Sequence, residues 1–318
     1  MKNTRIRIGI DAMGGDFAPM EPVLAALQFA ANPDLNVLPV LFGDSNLIES
    51  ILKQHNKTHS DLEVVHCTEV ISMSDHATRG ISQKKDSSIV VGYQHLAAGK
   101  IDAFLSAGNT GAMMVGALYS IKPIEGINRP ALTSILPRPD GSVGILLDVG
   151  ANADCKAETL NQFATLGSVY YKTFFSSIGS DPKVGLLSIG EEKEKGNLLT
   201  QATYPLLENN PKIQFVGNVE GRDIFNQKVD VVVCDGFVGN IILKVCEGLY
   251  YNLMKQGIQD DYLNRFNFKH YGGTPILGVN APVIIGHGIS KSDTFIKMIE
   301  MAVHSVKTKM TDKIKSSF

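Results

Sequence analysis

Six apolar stretches of this chain each lead into a turn made of glycine, asparagine, aspartate and other small residues. The turns occupy residues 11–16, 106–111, 148–154, 188–196, 217–223 and 235–240. Glycine lets backbone N–H groups approach a ligand, and the N-terminus of a following helix favours an anion. In parallel α/β sheets, ligands bind at the carboxyl ends of the strands. The six turns therefore predict one composite site for an anionic substrate.

Several common catalytic motifs do not occur in the sequence. No GxGxxG follows the first predicted strand, and neither GxxxxGK[ST] nor GxSxG is present. The four cysteines, Cys67, Cys155, Cys234 and Cys246, are scattered without zinc-site spacing. Cys155 follows Asp154 but has no evident base, so we do not expect a cysteine nucleophile. Hydride transfer, P-loop phosphoryl transfer and serine catalysis are all disfavoured.

The polar residues of these turns each have two interpretations. Asn109 or Thr110 either caps the following helix or helps to cradle a phosphate. Lys195 belongs either to a solvated charged loop or to an anion clamp between two glycines. His287, flanked by glycines after an apolar run, is either structural or open to a ligand. Asp11 either binds a cation or holds its own turn through backbone hydrogen bonds.

The elements that must position these residues alternate along the chain. Strands are predicted at 6–11, 37–42, 62–66, 101–106, 132–136, 143–148, 183–188, 213–216, 229–234 and 283–285. Helices are predicted at 20–32, 87–98, 110–120, 157–176, 198–208, 237–256 and 290–316. This alternation predicts an α/β fold with a mostly parallel sheet covered on both faces. We expect a single domain over residues 1–318, with a short helical excursion around 249–270.

The composition restricts the class of protein. The chain of 318 residues has 30 Lys and Arg against 32 Asp and Glu, a formal net charge of −2. That balance argues against nucleic-acid binding by a broad basic face. No apolar run approaches the roughly 18 residues of a membrane span, and the N-terminus lacks a signal-peptide core. Scattered cysteines agree with a reducing compartment. We expect a cytoplasmic protein, peripheral to the inner face of the membrane if it contacts one.

The C-terminal segment 290–316 places apolar residues at helical spacing and ends in a run of lysines. A packing or dimer helix is one interpretation, since the lysines suit the negative end of the helix dipole. A basic amphipathic membrane contact is the other.

The turns and a few flanking residues together resemble one family. They run in order through residues 11–16, 106–111, 129–131, 147–152, 190–196, 217–223, 234–240 and 271–273. The ordered set resembles the PlsX family of bacterial phosphate acyltransferases, from about residue 6 to about residue 300. Two segments depart from the family pattern. Residues 249–270 are shorter than the amphipathic hairpin that members usually carry, and residues 78–88 vary the basic run before Asp-Ser-Ser.

The resemblance implies a three-layer α/β/α fold akin to isopropylmalate dehydrogenase and phosphotransacetylase, in a homodimer. It implies transfer of a fatty acyl group from acyl-acyl carrier protein to inorganic phosphate for phospholipid synthesis. The acyl-phosphate product would pass to a membrane glycerol-3-phosphate acyltransferase of the PlsY type. No metal and no organic cofactor are implied.

The turns and the resemblance lead to specific expectations for the site. We expect Asn109 and Lys195 to hold phosphate, and His287 or Asn218 to donate a hydrogen bond to the thioester oxygen. Further phosphate- or substrate-binding residues are expected at Asp11, Gly14, Gly15, Gly108, Thr110, Gly111, Asp148, Asn152, Arg222, Asp235 and Asn240. The basic residues Arg79, Lys84 and Lys85 either dock the acidic carrier protein or form a solvated surface.

Two other classes of protein share parts of the pattern. Residues 11–15 and 148–150 resemble the phosphate turns of kinases of the actin-like ATPase type, which predicts magnesium-dependent ATP binding. A non-catalytic assembly factor would instead bind anionic membranes through the basic C-terminal helix and turn over nothing.

Overall fold

The computed structural model describes residues 5–32, 35–57, 62–176 and 180–318. The chain divides into two compact units. The first comprises Met1–Pro123 and Phe268–Thr311, and the second comprises Ile124–Asn267 and Asp312–Phe318. That residues 1–318 act as one acyltransferase domain stays a prediction.

Strands and helices alternate along most of the chain. The strands are β1 (Ile6–Asp11), β2 (Val37–Gly43), β3 (Glu63–His66), β4 (Ala103–Ser106), β5 (Ala131–Pro137), β6 (Val143–Leu147), β7 (Lys183–Leu187), β8 (Gln214–Val219), β9 (Val231–Val233), β10 (Gly273–Leu277) and β11 (Val283–Gly286). The α-helices are α1 (Met20–Ala30), α2 (Ser45–Gln54), α3 (Ala77–Gln83), α4 (Ser88–Ala97), α5 (Thr110–Gly116), α6 (Ala157–Phe174), α7 (Leu198–Glu208), α8 (Gly236–Lys255), α9 (Asp261–Asn264), α10 (Ser292–Lys307) and α11 (Met310–Lys315).

In the first unit the strand order is β3-β2-β1-β4-β11-β10, and all neighbours are parallel except β10 and β11. Successive residues of β1 point to opposite faces. Ile8 and Ile10 are buried in a cluster with α1 and α10. The opposite face holds Phe104, whose ring packs against Tyr93 of α4. A Cβ at Gly92 would lie 2.3 Å from the Phe104 ring, so the glycine lets α4 approach the sheet. Helices therefore cover both faces.

In the second unit the order is β5-β6-β9-β7-β8, parallel throughout except for the β5–β6 pair. The central β9 is a run of three buried valines, as expected for a strand covered on both faces. Helix α6 lies against it at Gly167, where a Cβ would approach Val231 to 2.6 Å. Helix α8 begins three residues after β9.

The excursion expected around 249–270 folds back onto its own unit. After α8 the chain forms the short α9, and Arg265 donates hydrogen bonds to the carbonyls of Arg138 (2.6 Å) and Gly141 (2.7 Å) in the β5–β6 turn. The Tyr262 hydroxyl donates to the Pro137 carbonyl at 3.3 Å. The segment is thus anchored beside that turn.

The predicted α/β class and mostly parallel pairing are confirmed, and every predicted strand is present. Strand β10 and helices α2 and α3 were not predicted. The prediction of one continuous helix over 290–316 is wrong. Lys309 adopts φ +53, and the Thr308 hydroxyl donates to the His304 carbonyl at 2.7 Å, so α10 ends there and α11 is separate. No described helix is long and apolar enough to cross a membrane.

Candidate active site

In the first unit, a buried carboxylate joins the ends of two neighbouring strands. Asp11 ends β1 and is 1% exposed. It accepts the Ser106 hydroxyl at 2.6 Å and the Met13 N–H at 3.0 Å. Ser106 Oγ accepts the Gly108 N–H at 2.9 Å. Burial raises the pKa of Asp11, and its hydrogen bonds oppose this only in part. Of the two interpretations of Asp11, the geometry favours the one in which it holds its turn.

Glycine is required where these two turns meet. A Cβ at Gly14 would lie 2.5 Å from Asp11 Oδ2, 2.7 Å from Ser106 Oγ and 2.8 Å from the Gly108 nitrogen. No side chain fits in that space. Gly14 and Gly108 therefore bring the backbones of the two turns together, and their predicted contact with a substrate stays a prediction.

The side chain of Asn109 is fully engaged with protein. Its Oδ1 accepts the Ala112 N–H at 2.9 Å and caps α5. Its Nδ2 lies 3.0 Å from the Ser72 carbonyl oxygen, 3.3 Å from that of Met73 and 3.0 Å from that of Asp75. Asn109 therefore clamps residues 72–75, here named the clamped loop. The phosphate role predicted for it stays a prediction, but the amide is already bonded.

The neighbours of Asn109 are more open to a ligand. Thr110, the first residue of α5, is exposed. The N–H groups of a first helical turn have no acceptor within the helix. Gly111 lies close to Ala77, where a Cβ would be 2.9 Å away.

The structure places His287 beside the same turns. It is exposed and follows β11, which pairs with β4. Its Nδ1 accepts the Ile289 N–H at 3.5 Å. The neighbouring Gly288 carbonyl accepts the Asp16 N–H at 2.7 Å and lies against Gly15, which has φ +101. The first unit thus gathers Thr110, Gly15 and His287 at one edge of its sheet.

In the second unit, Asp148 has the role that Asp11 has in the first. It is fully buried, and Oδ1 accepts the N–H groups of Leu132 (3.0 Å) and Ala151 (3.2 Å). Oδ2 accepts the backbone N–H of Asn152 at 2.7 Å and its Nδ2 at 2.9 Å. Burial raises the pKa of Asp148 despite these bonds. Asp148 and Asn152 therefore form a rigid floor under the turn.

The start of α8 packs directly onto this floor. A Cβ at Gly236 would lie 2.7 Å from Asp148 Oδ2, and one at Gly239 only 1.9 Å from the Asp148 carbonyl oxygen. Asp235 caps α8 by accepting the Val238 N–H at 2.9 Å. Asn240 donates to the Val149 carbonyl at 3.3 Å. Both predicted binding residues therefore support the turn through protein contacts.

The thiol beside this floor is not activated. Burial raises the pKa of Cys155 to about 11, and its Sγ donates to the Asn152 carbonyl at 3.6 Å. The thiolate is the nucleophilic form, so this cysteine is a poor nucleophile at neutral pH.

Lys195 differs from the other lysine of its loop. Lys193 pairs with Glu208 at 2.6 Å. Lys195 is exposed and has no ion pair within the described part of the chain, and its stem lies over Gly190, where a Cβ would meet Cγ at 2.9 Å. An unpaired, exposed ammonium group is available to an anion.

Asn218 and Arg222 are less free. Asn218 is 3% exposed and its Nδ2 donates to the Glu192 carbonyl at 2.8 Å, which supports the loop that carries Lys195. Arg222 is exposed and pairs with Glu220 at 2.7 Å. The Asn218 amide is therefore bonded within its own unit, and His287 is an exposed side chain of the first unit.

Among the three basic residues expected at a carrier-protein surface, Lys84 forms an ion pair. Lys84 pairs with Asp75 at 2.5 Å and donates to the Val70 carbonyl at 2.8 Å, so it also holds the clamped loop. Lys85 is exposed and donates to the Ile81 carbonyl at 3.2 Å, while Arg79 is exposed on α3. The clamped loop itself was missed in the sequence, where its only signal is a polar stretch, residues 72–75, before α3.

Comparison with known proteins identifies relatives over nearly the whole chain. A family described as fatty acid synthesis protein matches residues 6–313. The phosphate acyltransferase of Dictyoglomus turgidum is 41% identical, covering 97% of this chain and 96% of that protein. The phosphate acyltransferase of Thermoanaerobacterium thermosaccharolyticum is 43% identical, and the match covers 93% of this chain and 92% of that protein.

Solved structures share the fold at lower identity. A phosphotransacetylase from Streptococcus pyogenes has a TM-score of 0.70 at 17% identity, with 95% of this chain and 94% of that chain covered. EutD phosphotransacetylase from Staphylococcus aureus has a TM-score of 0.65 at 17% identity, with 96% and 95% covered. These likenesses confirm the phosphotransacetylase-like α/β fold. On the family match and the high coverage of its relatives, the chain belongs to the PlsX family of phosphate acyltransferases, a family of acyltransferase enzymes.

Proposed function

We propose that this protein transfers a fatty acyl group from acyl-acyl carrier protein to inorganic phosphate. An oxygen of hydrogenphosphate attacks the thioester carbonyl, the C–S bond breaks, and the proton of hydrogenphosphate passes to the leaving thiolate. The products are an acyl-phosphate and the carrier thiol. The observation that carries the proposal is the family membership over residues 6–313.

This chemistry needs no protein nucleophile, because hydrogenphosphate is itself nucleophilic near pH 7. It needs a cradle that holds phosphate against the carbonyl, for which proximity supplies at most about 7–11 kcal/mol. Donors to the developing oxyanion contribute about 3–4 kcal/mol each. The thiol leaves readily, since its free pKa is near 8.5. Unactivated Cys155 is consistent with such a reaction.

In this proposal Thr110 and the N–H groups of the 108–111 turn bind phosphate in the first unit, and Lys195 is proposed separately as a phosphate ligand of the second unit. His287 donates to the thioester oxygen. Lys195 is supported as a ligand because it is exposed and unpaired among the described residues, and His287 because it is exposed at a strand end. Arg79 and Lys85 are proposed to meet the acidic carrier protein.

We also propose that the protein is a homodimer in the cytoplasm, and that its product supplies a membrane acyltransferase that uses glycerol 3-phosphate. Helix α8 supports the dimer, because it exposes Phe237, Ile241, Val245 and Leu249 at four-residue spacing along one face. Two copies of such a stripe can bury each other. Sedimentation of the Val245→Glu variant tests this, since a dimer is expected to become a monomer and an unchanged sedimentation coefficient contradicts it.

The test of activity uses purified protein with long-chain acyl-acyl carrier protein and phosphate, and traps acyl-phosphate with hydroxylamine. Phosphate-dependent product is expected, and ATP turnover without such product would instead support the kinase alternative. Lys195→Ala is expected to raise the KM for phosphate about 10- to 150-fold, as loss of a charge-assisted hydrogen bond costs about 1.5–3 kcal/mol. Lys193→Ala, in the same loop but paired with Glu208, is the matched control and should leave that KM unchanged.

A further inference from the structure

Three apolar side chains stand exposed where the loops of the first unit meet. Phe17 is 42% exposed, Met73 52% and Ile289 38%. They belong to three separate loops, after β1, before α3 and after β11. Together they are named the apolar rim.

Gly288 lies close to all three loops that carry the apolar rim. An ideal Cβ at Gly288 would lie 3.4 Å from Met73 Cε. The Gly288 carbonyl accepts the N–H of Asp16, which precedes Phe17, at 2.7 Å. Ile289 is the next residue along the chain. The Met73 side chain and the backbones of Asp16 and Ile289 therefore lie close to Gly288, which has no side chain of its own.

The loop that carries Met73 is held in place by Asn109 and Lys84. Asn109 bonds three carbonyls of the clamped loop that carries Met73, and Lys84 pairs with Asp75 in the same loop. The same Asn109 begins the turn that contains Thr110. The Met73 backbone is thus held beside Asn109, the residue that precedes Thr110.

A cation lies at one side of the rim. Lys291 Nζ lies 5.2 Å from the centroid of the Phe17 ring. A ligand that carries an apolar chain and an anionic or polarised head matches this combination. Methionine suits a flexible chain because its unbranched side chain adapts to irregular shapes.

We propose that the apolar rim of Phe17, Met73 and Ile289 receives the acyl chain of the substrate and sets the preference for chain length. The proposal rests on the proposed acyl-transfer function. Contiguous exposed apolar patches mark ligand or partner sites. The alternative occupant, a second copy of this chain, has its own candidate surface on α8.

The test compares sixteen-carbon with four-carbon acyl groups in two measurements. The first is kcat/KM with the two acyl-carrier-protein substrates. The second is the Kd of acyl phosphonates of the same two lengths, measured by calorimetry. Met73→Ser is expected to lower kcat/KM and affinity for the sixteen-carbon compounds about tenfold, equivalent to about 1.4 kcal/mol. The four-carbon compounds should change less than about twofold, and Met73→Leu should retain the wild-type preference.

The matched control is Tyr119→Ser. Tyr119 is 72% exposed, lies in the same unit beyond the end of α5, and is not part of the rim. Tyr119→Ser should leave kcat/KM and Kd unchanged for both the sixteen-carbon and the four-carbon compounds. If Met73→Ser lowers kcat/KM and affinity equally for both chain lengths, or lowers neither, the proposal that the apolar rim binds the acyl chain is wrong. Wild-type protein that makes no acyl-phosphate refutes the proposed function, while the phosphonate Kd values still decide whether the rim binds a chain.

Discussion

The Asn109→Asp variant distinguishes two possible roles of the Asn109 side chain, holding the clamped loop and binding phosphate. Aspartate keeps the oxygen that accepts the Ala112 N–H and caps α5. It loses both amide hydrogens, which reach the carbonyls of Ser72, Met73 and Asp75 at 3.0, 3.3 and 3.0 Å. The change therefore removes the clamp and leaves the cap.

The free energy that the clamped loop loses in this variant follows from these contacts. Two N–H donors make two full hydrogen bonds, each worth about 1 kcal/mol net, so the clamped loop loses about 2 kcal/mol. A carboxylate facing three carbonyl oxygens adds repulsion, and we expect a total of about 3 kcal/mol at pH 8. Asn109→Ser keeps a cap without adding charge, so its loss should stay near about 2 kcal/mol.

Hydrogen exchange of the clamped loop is the assay. The reporters are the N–H of Ser72, bonded to Asp75 Oδ2 at 2.8 Å, and that of Asp75, bonded to the Ser72 carbonyl at 3.1 Å. A loss of about 2 kcal/mol speeds exchange through loop opening roughly 30-fold. Asn197→Asp is the matched control, since Asn197 caps α7 by accepting the Thr200 N–H and gives its amide to no comparable loop among the described residues.

The pH dependence adds a second readout. Carbonyl oxygens around the introduced carboxyl group raise its pKa in the folded state above the unfolded value. A group with a raised folded pKa is least harmful below the unfolded pKa and more harmful as pH rises through the folded one. The Asn109→Asp defect should therefore grow from pH 4 to pH 8, and that of Asn109→Ser should not.

The clamp is refuted if Asn109→Asp protects the loop as well as wild type does. A raised KM for phosphate with unchanged loop exchange would show that the amide binds phosphate directly. Faster exchange with a reduced kcat/KM, of which part returns at low pH, supports the clamp.

Three further outcomes are expected. His287→Ala should lower kcat by tens-fold with little change in the KM for phosphate, and full activity in that variant would remove His287 from the site. Asp11→Asn removes a buried group whose folded pKa is raised, so the stability of wild type relative to this variant should fall as pH rises from 4 to 8, and pH-independent unfolding differences would contradict the burial argument. Gly239→Ala should destabilise the protein by about 1–3 kcal/mol, because the new Cβ would lie 1.9 Å from the Asp148 carbonyl oxygen. Gly248 is in the same helix with open space around it, so Gly248→Ala should stabilise the protein by about 0.5–1 kcal/mol. Thermal denaturation of both variants measures these changes.

The sequence predicted the elements whose local signals are strong. Continuous apolar runs such as Val231–Val233 became buried strands, and the period of the apolar residues predicted Leu198–Glu208 to the residue. Strand β10 was missed because its residues, Gly-Thr-Pro-Ile-Leu, include a glycine and a proline, and its pairing with β11 comes from residues distant in sequence. The break of the last helix depends on Lys309 at positive φ, which no composition signal marks.

The sequence predicted the turns that form the candidate site, but it did not determine the role of each side chain in them. Asn109 has the right type to bind phosphate or to cap a helix, and the sequence leaves both open. The structure shows a third use, because the clamped loop comes from a region about 35 residues earlier. Such a contact arises only from the tertiary fold, so the roles of Asn109 and Lys84 could not be assigned from their neighbours in sequence.

Each of the two units has a buried aspartate at the end of a strand, followed by a motif turn. A buried aspartate ends a strand in each, Asp11 in β1 and Asp148 just after β6, and each accepts N–H groups of the turn that follows. Burial raises the pKa of both aspartates, and their hydrogen bonds oppose that rise only in part. The motif aspartates therefore order the backbone of the turns, while the side chains of Thr110, Lys195 and His287 are exposed. For this reason a phosphate-binding defect should appear first when Lys195 is changed, and a stability defect when Asp11 or Asp148 is changed.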